Sequence, residues 1–374
     1  MTTPQATPRV LTATSGHEGP LLQVDDFRTH FETPTGTVKA VDGVSFTLER
    51  GDTLGIVGES GSGKTVLARS VMGLLTGKNV IRSGSARYNG NELVGASESE
   101  LRDLWGTEMA MVFQDPMTSL NPVLKVGRQI TEGLRYHLKL SKAEARAQAL
   151  QLLDSVGIPD PNRRISQYPH ELSGGMRQRV TIAIALACGP TLLFADEPTT
   201  ALDVTVQAQI LDLLQRQQVE RFMAMVLVTH DLGVVAGRTD HIAVMYAGQI
   251  VEHAPTGELF ANVLMPYTDA LLHSIPKLSQ PSHTRLQSIG GRPPDLINPP
   301  SGCRFAPRCP YVQPKCTSEM PPLQEAETPG HLYRCWFPVG TDAGREALAQ
   351  NAALGIPAAV SLTQTLAEKP GGTA

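Results

Sequence analysis

A glycine-rich loop between an apolar strand and a helix constrains the fold of this chain more than any other feature. Residues 58–65 read GESGSGKT and fit the pattern G-x-x-x-x-G-K-[ST]. The preceding run TLGIVG is typical of a buried strand, and the residues after the loop have helical spacing. Such a loop curls so that successive N–H groups point inwards at phosphates, helped by the helix N-terminus. The predicted phosphate-binding residues are Gly58, Ser60, Gly61, Ser62, Gly63, Lys64 and Thr65.

Two acidic residues close another apolar strand, in the run TLLFADE. Hydrolysis of a nucleotide needs a carboxylate for magnesium and a group that orients the attacking water. We therefore expect Asp196, with Thr65, to hold Mg²⁺, and Glu197 to activate water. A further strand ends in VTHD, from which His230 could reach a γ-phosphate. Without the phosphate loop, the two acids would be interpreted as a solvated strand end or a helix cap.

The run ELSGGMRQR at 171–179 follows the phosphate loop and stands just before the acidic strand. This order of motifs resembles that of the ABC ATPases, whose signature motif has this form and is absent from kinases and small GTPases. Ser173 is a good cap for the helix that follows. In the family, this hydroxyl and the N–H groups of Gly174 and Gly175 face the γ-phosphate bound by the opposite subunit. Met176 stands where glutamine is commoner, and we expect it to be tolerated.

The resemblance implies roles for further residues. Gln114, in MVFQDP, resembles the Q-loop glutamine and is expected to contact Mg²⁺ and to take part in catalysis. Residues 201–203 resemble the D-loop, which would place Asp203 at the nucleotide. His230 resembles the switch histidine, and Phe31 resembles the aromatic residue that stacks on adenine. If the family rule holds, ATP lies between one subunit's phosphate loop and its partner's signature, so that ATP closes a pair of subunits and hydrolysis opens it.

Strands and helices alternate along the chain, which predicts a mostly parallel sheet with helix crossovers. We expect an antiparallel sheet in 21–49, a helical insertion in 122–160, strands at 191–197, 223–231 and 241–252, and a helix in VTVQAQILDLLQRQQ. The predicted fold class is α/β, a P-loop ABC ATPase core with an antiparallel β sheet at its start and a helical subdomain, plus a small Cys-rich C-terminal domain. The predicted limits are 1–20 for a disordered N-terminus, 21–258 for the ABC ATPase domain with its helical subdomain at about 115–180, 259–338 for the Pro- and Cys-rich domain, and 339–374 for a flexible tail.

Charge argues against a nucleic acid as partner, and hydropathy predicts a chain that does not cross a membrane. The net charge of -4, from 32 basic and 36 acidic residues, gives no electrostatic reason to expect a nucleic acid as partner. The longest apolar run, at 180–188, is half the length that crosses a bilayer. The N-terminus lacks the basic start and apolar core of a secretory signal, so we expect a cytosolic chain.

Four of the five cysteines lie near the C-terminus, where the chain is rich in proline. Cys303, Cys309, Cys316 and Cys335 are separated by gaps of five, six and eighteen residues. Four thiols in a cytosolic segment of low hydrophobicity favour a metal site, either zinc or an iron–sulfur cluster. The tight C-x(2-4)-C knuckles of structural zinc are absent, and the Cys309–Pro310 step is similar to ferredoxin cysteines, so we expect [4Fe–4S] with Zn²⁺ as the alternative. Cys188, in an apolar helix, is interpreted as a small buried hydrophobe.

The C-terminal segment resembles the extension on ATPase subunits of oligopeptide and dipeptide importers and of their nickel-importing relatives, some of which hold a [4Fe–4S] cluster there. The resemblance implies an ATPase on the cytoplasmic face of the membrane, where it powers peptide import. Its partners would be two transmembrane permease subunits, a homologous second ATPase and, indirectly, an extracytoplasmic substrate-binding protein, with no nucleic acid. A cluster would be structural, since an ATP-driven cycle needs no electron transfer; a redox or metal sensor is the alternative.

Two alternative functions retain ATP hydrolysis and differ in the process that it powers. One is an importer of nickel or another small solute. The other is a soluble ABC ATPase of DNA repair or translation, but those carry long coiled-coil insertions or two fused cores, and neither is present here. The motifs specify neither the peptide length nor the identity of the second ATPase.

Overall fold

Two sheets organise the chain in the computed structural model, which describes residues 19–200, 202–275 and 289–354, apart from the side chains of 116 and 117. The strands are β1 (Leu22–Thr33), β2 (Gly36–Leu48), β3 (Thr53–Val57), β4 (Val80–Tyr88), β5 (Asn91–Glu92), β6 (Met109–Val112), β7 (Leu192–Asp196), β8 (Ala224–Thr229), β9 (His241–Tyr246), β10 (Gln249–Pro255), β11 (Gln324–Glu325) and β12 (Leu332–Tyr333). The α-helices are α1 (Lys64–Val71), α2 (Glu98–Leu104), α3 (Pro116–Ser119), α4 (Val126–His137), α5 (Lys142–Ser155), α6 (Pro161–Arg164), α7 (Gly174–Ala185), α8 (Val204–Arg221), α9 (Leu232–Val235), α10 (Thr256–Ala261), α11 (Pro266–His273), α12 (Pro314–Ser318) and α13 (Asp342–Ala353). Short 3₁₀ turns lie at Pro169–Glu171 and Ala306–Arg308.

The larger sheet has the strand order β11-β12-β10-β9-β3-β8-β7-β6, and β9, β3, β8, β7 and β6 run parallel. Every residue of β3, β7 and β8 is buried, as expected for parallel strands covered on both faces. The alternation of strands and helices therefore predicted this part of the fold correctly. The carboxyl ends of the parallel strands share one edge, which is where α/β sheets bind ligands.

The smaller sheet is antiparallel and has the order β2-β1-β4-β5. Its first two strands confirm the antiparallel sheet expected in 21–49. Strand β4 was not predicted, because it alternates exposed and half-buried residues over most of its length and so lacks an apolar pattern. The sheet packs its buried face on α1 through Phe27, Leu67 and Val71.

Helices α3 to α7 fill the chain between β6 and β7, in agreement with the expected helical insertion. Helix α5 begins with a capping box, in which the Ser141 hydroxyl accepts from the Glu144 N–H and the Glu144 carboxylate accepts from the Ser141 N–H. Ile130 and Leu134 of α4 belong to one buried core with residues of α5 and α7. The insertion thus packs on the same core as the parallel sheet. No helix in the described ranges combines the length and apolar character that crossing a bilayer requires.

The prediction of a single strand at 241–252 is wrong, because β9 and β10 form an antiparallel hairpin there. Both residues of its turn have positive φ, 45° at Ala247 and 85° at Gly248, as a two-residue hairpin turn requires. Alanine is unfavourable in that conformation, so the sequence carried no turn signal there. The Gly248 N–H donates to the Ser62 carbonyl at 2.9 Å, which places the turn against the phosphate loop.

The C-terminal region extends the central sheet, since β12 pairs with β10 and with β11. His331 is buried in the same place and lies 3.0 Å from the buried Glu252 carboxylate. Phe305 and Cys335 belong to the same core cluster as the parallel strands. The region is therefore built onto the ATPase core, and a separate C-terminal domain at 259–338 stays a prediction.

The flexible tail expected from 339 is contradicted over Asp342–Ala353, which form helix α13. Helix α13 is capped by Thr341 and docks on the cysteine region, where the Asn351 amide donates to the carbonyls of Pro310 at 2.8 Å and Val312 at 2.9 Å. A short Ala-rich helix is marginal alone, and this docking, invisible in the sequence, stabilises it. The rest of the expected tail, 355–374, and residues 1–18 of the expected disordered N-terminus lie outside the described residues.

Candidate active site

The phosphate loop connects β3 to α1 at the carboxyl edge of the parallel sheet. Gly63 has φ of 101°, and a Cβ there would lie 2.2 Å from the Ala40 carbonyl oxygen, so only glycine fits. The buried Lys64 ammonium donates to the carbonyls of Gly58 at 2.6 Å and Glu59 at 2.9 Å. The loop therefore folds around its own lysine, which binds two of its carbonyl groups.

Burial lowers the pKa of Lys64, and three carboxylates oppose this effect: Glu197, Asp196 and Glu59. Two of these acids come from the end of β7, and Glu59 comes from the loop itself. These carboxylates stabilise the charged form of the lysine against the cost of its burial.

Thr65 and Asp196 form the expected magnesium pair. The Thr65 hydroxyl donates to Asp196 Oδ1 at 2.8 Å, and the Asp196 side chain is fully buried. Burial raises the pKa of Asp196, while the Thr65 hydrogen bond and Arg69, 3.7 Å away, act in the opposite direction. Within the described chain, Asp196 Oδ2 is buried without a hydrogen-bond partner. A hydroxyl beside a carboxylate with one buried oxygen to spare is a donor set that fits Mg²⁺.

Three polar side chains converge on one oxygen of Glu197. The Gln114 amide donates to Oε2 at 2.9 Å, the Thr200 hydroxyl donates to it at 3.0 Å, and His230 Nδ1 lies 3.4 Å from it. Glu197 has φ of 44°, the left-handed conformation that non-glycine residues adopt at a cost, often at functional sites. This geometry fixes the carboxylate beside the phosphate loop. The structure thus brings together Gln114, Glu197 and His230, although Gln114 contacts Glu197 here and its contact with Mg²⁺ stays a prediction.

The signature residues lie at the start of α7. Ser173 caps this helix, with its hydroxyl accepting from the Met176 N–H at 3.4 Å. A Cβ on Gly175 would lie 2.9 Å from Val206 of α8, so the signature is packed against the residues that follow the D-loop. Asp203 caps α8 by accepting from the Val206 N–H at 3.0 Å. The described contacts of Ser173 and Asp203 are therefore helix caps, and their roles across a subunit interface stay predictions.

The predicted adenine-stacking residue, Phe31, belongs to the smaller sheet. Phe31 is half-buried on β1, between Val38 of β2 and Val80 of β4. Its stacking on adenine stays a prediction. Ala201, the first residue of the D-loop, lies outside the described residues.

Sequence reasoning missed three residues that touch the site. Thr200 follows Glu197 by three residues and makes a turn with it, which a search for hydroxyls near the catalytic acid could have found. Tyr267 accepts a hydrogen bond from the Glu59 N–H at 2.8 Å, and Arg308 donates to the Glu59 carboxylate at 2.6 and 2.9 Å. Both come from more than 200 positions downstream of the loop, and no local pattern marks them.

The four C-terminal cysteines line one small apolar cavity together with Met265, Tyr311, Trp336 and Phe337. Burial raises the pKa of all four thiols, to about 12 for Cys335, and neighbouring cysteines contribute to this rise at Cys303, Cys309 and Cys335. The Phe337 N–H donates to Cys335 Sγ at 3.4 Å. Across the described ranges, no three His, Cys, Asp or Glu side chains are arranged to hold a metal ion. The donor set suits a thiolate-bound metal, although its side chains are not gathered in metal-binding geometry.

Two family models match separate parts of the chain. A family model described as "ABC transporter" matches residues 41–200, and one described as "Oligopeptide/dipeptide transporter, C-terminal region" matches residues 251–316. The oligopeptide transport ATP-binding protein OppD of Escherichia coli K12 is 50% identical over 319 residues, which cover 85% of this chain and 94% of that protein. OppD of Bacillus subtilis is 49% identical over 318 residues, covering 85% of this chain and 88% of that protein.

Solved structures resemble the ATPase part of the chain. A dimeric ATP-binding cassette in a post-hydrolysis state, bound to ADP and Pi, aligns with a TM-score of 0.57 and 26% identity, covering 63% of this chain and 98% of that one. The cbiO1 protein of Clostridium perfringens, part of the ABC transporter complex cbiONQ, aligns with a TM-score of 0.56 and 28% identity, covering 65% of this chain and 92% of that one.

Proposed function

We propose that this chain, which belongs to the oligopeptide transport ATP-binding proteins of the ABC transporter family, hydrolyses ATP to drive the import of oligopeptides or dipeptides across the cytoplasmic membrane. The resemblance to peptide importers inferred from the motifs is confirmed by these relatives. The observation that carries the proposal is the 50% identity to OppD over nearly its whole length, because it includes the C-terminal region. The same match argues against a soluble ABC ATPase of DNA repair or translation.

The residues at the carboxyl edge of the sheet support a division of roles in hydrolysis. Lys64 would exchange its carbonyl contacts for phosphate oxygens, and the loop N–H groups would orient the β- and γ-phosphates. Thr65 and Asp196 would hold Mg²⁺, which neutralises phosphate charge when bound. Glu197, with its Oε2 oriented by Gln114, Thr200 and His230, would accept the proton of the attacking water.

The remaining parts of the ATPase would act between subunits. Ser173, Gly174 and Gly175 would meet the γ-phosphate of a partner ATPase, since their helix N-terminus supplies N–H donors on the surface of this one. We expect the partner to be a homologous second ATPase and the pair to dock on two permease subunits at the cytoplasmic face of the membrane. An extracytoplasmic binding protein would deliver the peptide. Gln114 joins the parallel sheet to the helical insertion, so it is suited to relay the state of the nucleotide.

Transport by the assembled complex tests the proposed function. In proteoliposomes that contain this chain with its permease and ATPase partners, we expect ATP-dependent uptake of peptides. Lys64→Ala should lower uptake and hydrolysis about 100-fold or more, because the buried cation at the phosphates is lost. The exposed Lys78→Ala is the matched control and should transport normally. Uptake of Ni²⁺ without uptake of peptide would favour the small-solute alternative instead.

The cysteine cavity supports a [4Fe–4S] cluster as the finer proposal for this region, with Zn²⁺ as the alternative. Such a cluster is held by four cysteine thiolates, and four cysteines line this apolar cavity. The Phe337 N–H also donates to Cys335 Sγ, and hydrogen bonds of this kind tune the reduction potential of a cluster. The cluster would be structural, because it would tie the segments around Cys303, Cys309, Cys316 and Cys335 together.

Metal analysis of anaerobically purified full-length protein tests this assignment. We expect about four iron and four sulfide per chain and a visible absorption band that bleaches on reduction. Cys309→Ser should remove both, whereas Cys188→Ser, outside the cavity, should retain them. Zinc alone in the purified protein would contradict the cluster. If the cluster is structural, mild oxidant should leave the ATPase rate of the intact complex unchanged. A rate that changes reversibly with oxidant would favour a sensor.

A further inference from the structure

Arg308 connects the C-terminal region to the phosphate loop. Its side chain is 2% exposed, and every N–H of the guanidinium has an acceptor. Nη1 and Nη2 hold the two Glu59 carboxylate oxygens at 2.6 and 2.9 Å. The other N–H groups donate to Gly290, Ile289 and the Tyr246 hydroxyl. Such a saturated, two-pronged pair fixes both position and orientation of the carboxylate.

Glu59 is the acid around Lys64 that the reaction does not use. It follows Gly58, the first residue of the phosphate pattern, and it contributes with Asp196 and Glu197 to the negative field at Lys64. An unpaired carboxylate in that loop would repel the phosphates of ATP. Glu59 is 27% exposed, so water alone would screen its charge only in part.

The surroundings of Arg308 hold it rigidly. Tyr246, Tyr267 and Phe305 form an aromatic cluster with ring centroids 4.5 to 5.4 Å apart. The guanidinium lies 5.7 Å from the Tyr246 ring and 5.9 Å from the Phe305 ring. Tyr267 of the same cluster also accepts from the Glu59 N–H. Both the backbone and the side chain of Glu59 are therefore bound by groups outside the phosphate motif.

We propose that Arg308 is a positioning residue of the nucleotide site, which neutralises Glu59 and holds it away from the phosphates, so that the C-terminal region completes the phosphate loop. This inference rests on the proposed binding of ATP by that loop. Nothing in the phosphate-loop motif requires an arginine from the far end of the chain. By neutralising Glu59, Arg308 would favour binding of the triphosphate of the nucleotide.

The alternative, that Arg308 merely fastens the region, has a matched control in the same segment. Arg304 is also buried, and it donates to the Ala247 carbonyl at 2.5 Å and pairs with Asp42. It fastens the same region to the core at the hairpin turn, without contact to Glu59 in the described structure. If Arg308 only fastens the region, replacing either arginine should have the same effect on nucleotide binding. If Arg308 positions Glu59, only its replacement should weaken nucleotide binding.

Binding of a fluorescent ATP analogue with Mg²⁺ to the full chain tests the proposal, starting from the wild type. Arg308→Gln should weaken affinity about tenfold at low salt, the size expected for one nearby charge, and this loss should shrink as salt rises. Adding Glu59→Gln to that variant should return affinity to within about threefold of the wild type, because the repelling charge is gone. Arg304→Gln should lower the melting temperature yet keep the affinity.

Three results would overturn the proposal: wild-type affinity in Arg308→Gln, no recovery in the double variant, or an equal loss in Arg304→Gln. If Arg308→Gln does not fold, the double variant with two neutral side chains replaces it, and affinity more than about tenfold below the wild type then overturns the proposal. A wild-type chain that binds no nucleotide would instead refute the proposed ATPase site, and the two failures are thus distinguishable.

Discussion

Replacing Glu197 by glutamine is expected to lower ATP hydrolysis by the assembled complex about 10³-fold while nucleotide binding persists. The amide has the shape of the carboxylate and can still contact Gln114 and Thr200, but it cannot take a proton from water. Bound ATP should then accumulate between closed subunits, and peptide uptake should stop. Phosphate release and retained nucleotide per complex are the two measurements.

Two further variants distinguish the loss of proton transfer by Glu197 from the loss of a surface charge or of one hydrogen bond. Glu132→Gln removes an exposed carboxylate on α4 and should leave hydrolysis unchanged. Thr200→Val keeps Glu197 but removes one hydrogen bond to its Oε2, so a loss of only about tenfold is expected. Turnover close to the wild type in Glu197→Gln would remove this residue from its catalytic role.

Replacing Gly63 by alanine is expected to lower the free energy of unfolding by about 3 kcal/mol and to abolish nucleotide binding. The new Cβ would lie 2.2 Å from the Ala40 carbonyl oxygen and 3.1 Å from the Met245 side chain. The carbonyl is backbone of the neighbouring strand β2 and cannot rotate away, so the phosphate loop itself must shift. Urea unfolding and ATP-analogue binding of the full chain measure the two effects.

Gly189→Ala is the matched control for conformational strain. Gly189 also has positive φ, 73°, but a Cβ there meets no atom within 4 Å among the described residues. Its substitution should cost only about 1 kcal/mol and leave nucleotide binding intact. If both glycines lose the same stability, the contact with Ala40 is not what confines Gly63.

The sequence predicted those parts of the fold and site whose information is local. The run from β3 through the phosphate loop to α1, and the acids that end β7, each combine an apolar strand with functional residues at its end. Parallel strands bring such ends to one edge, so Lys64, Asp196 and Glu197 could be expected to meet before their contacts were seen.

What escaped prediction depends on contacts between distant segments. The turn at Ala247 and Gly248 has positive φ at an alanine, and its Gly248 N–H donates to the Ser62 carbonyl of the phosphate loop, far away in the sequence. Arg308 meets Glu59 across 249 positions, and α13 is stabilised by Asn351 reaching Pro310 and Val312. Neither pairing leaves a period or motif in the sequence, because each is specified by tertiary packing.

The pairing of β12 with β10 has a consequence for the order in which the chain is made. Glu252 pairs with Tyr333, so about 80 residues must leave the ribosome after β10 before its partner strand appears. During that interval the edge of the sheet would present unpaired N–H and C=O groups, which invite association with other chains. Nascent chains that stop before Tyr333 should therefore associate more readily with other chains, whereas in the complete chain β12 covers Glu252 and His253 and the two-residue strand β11 becomes the edge.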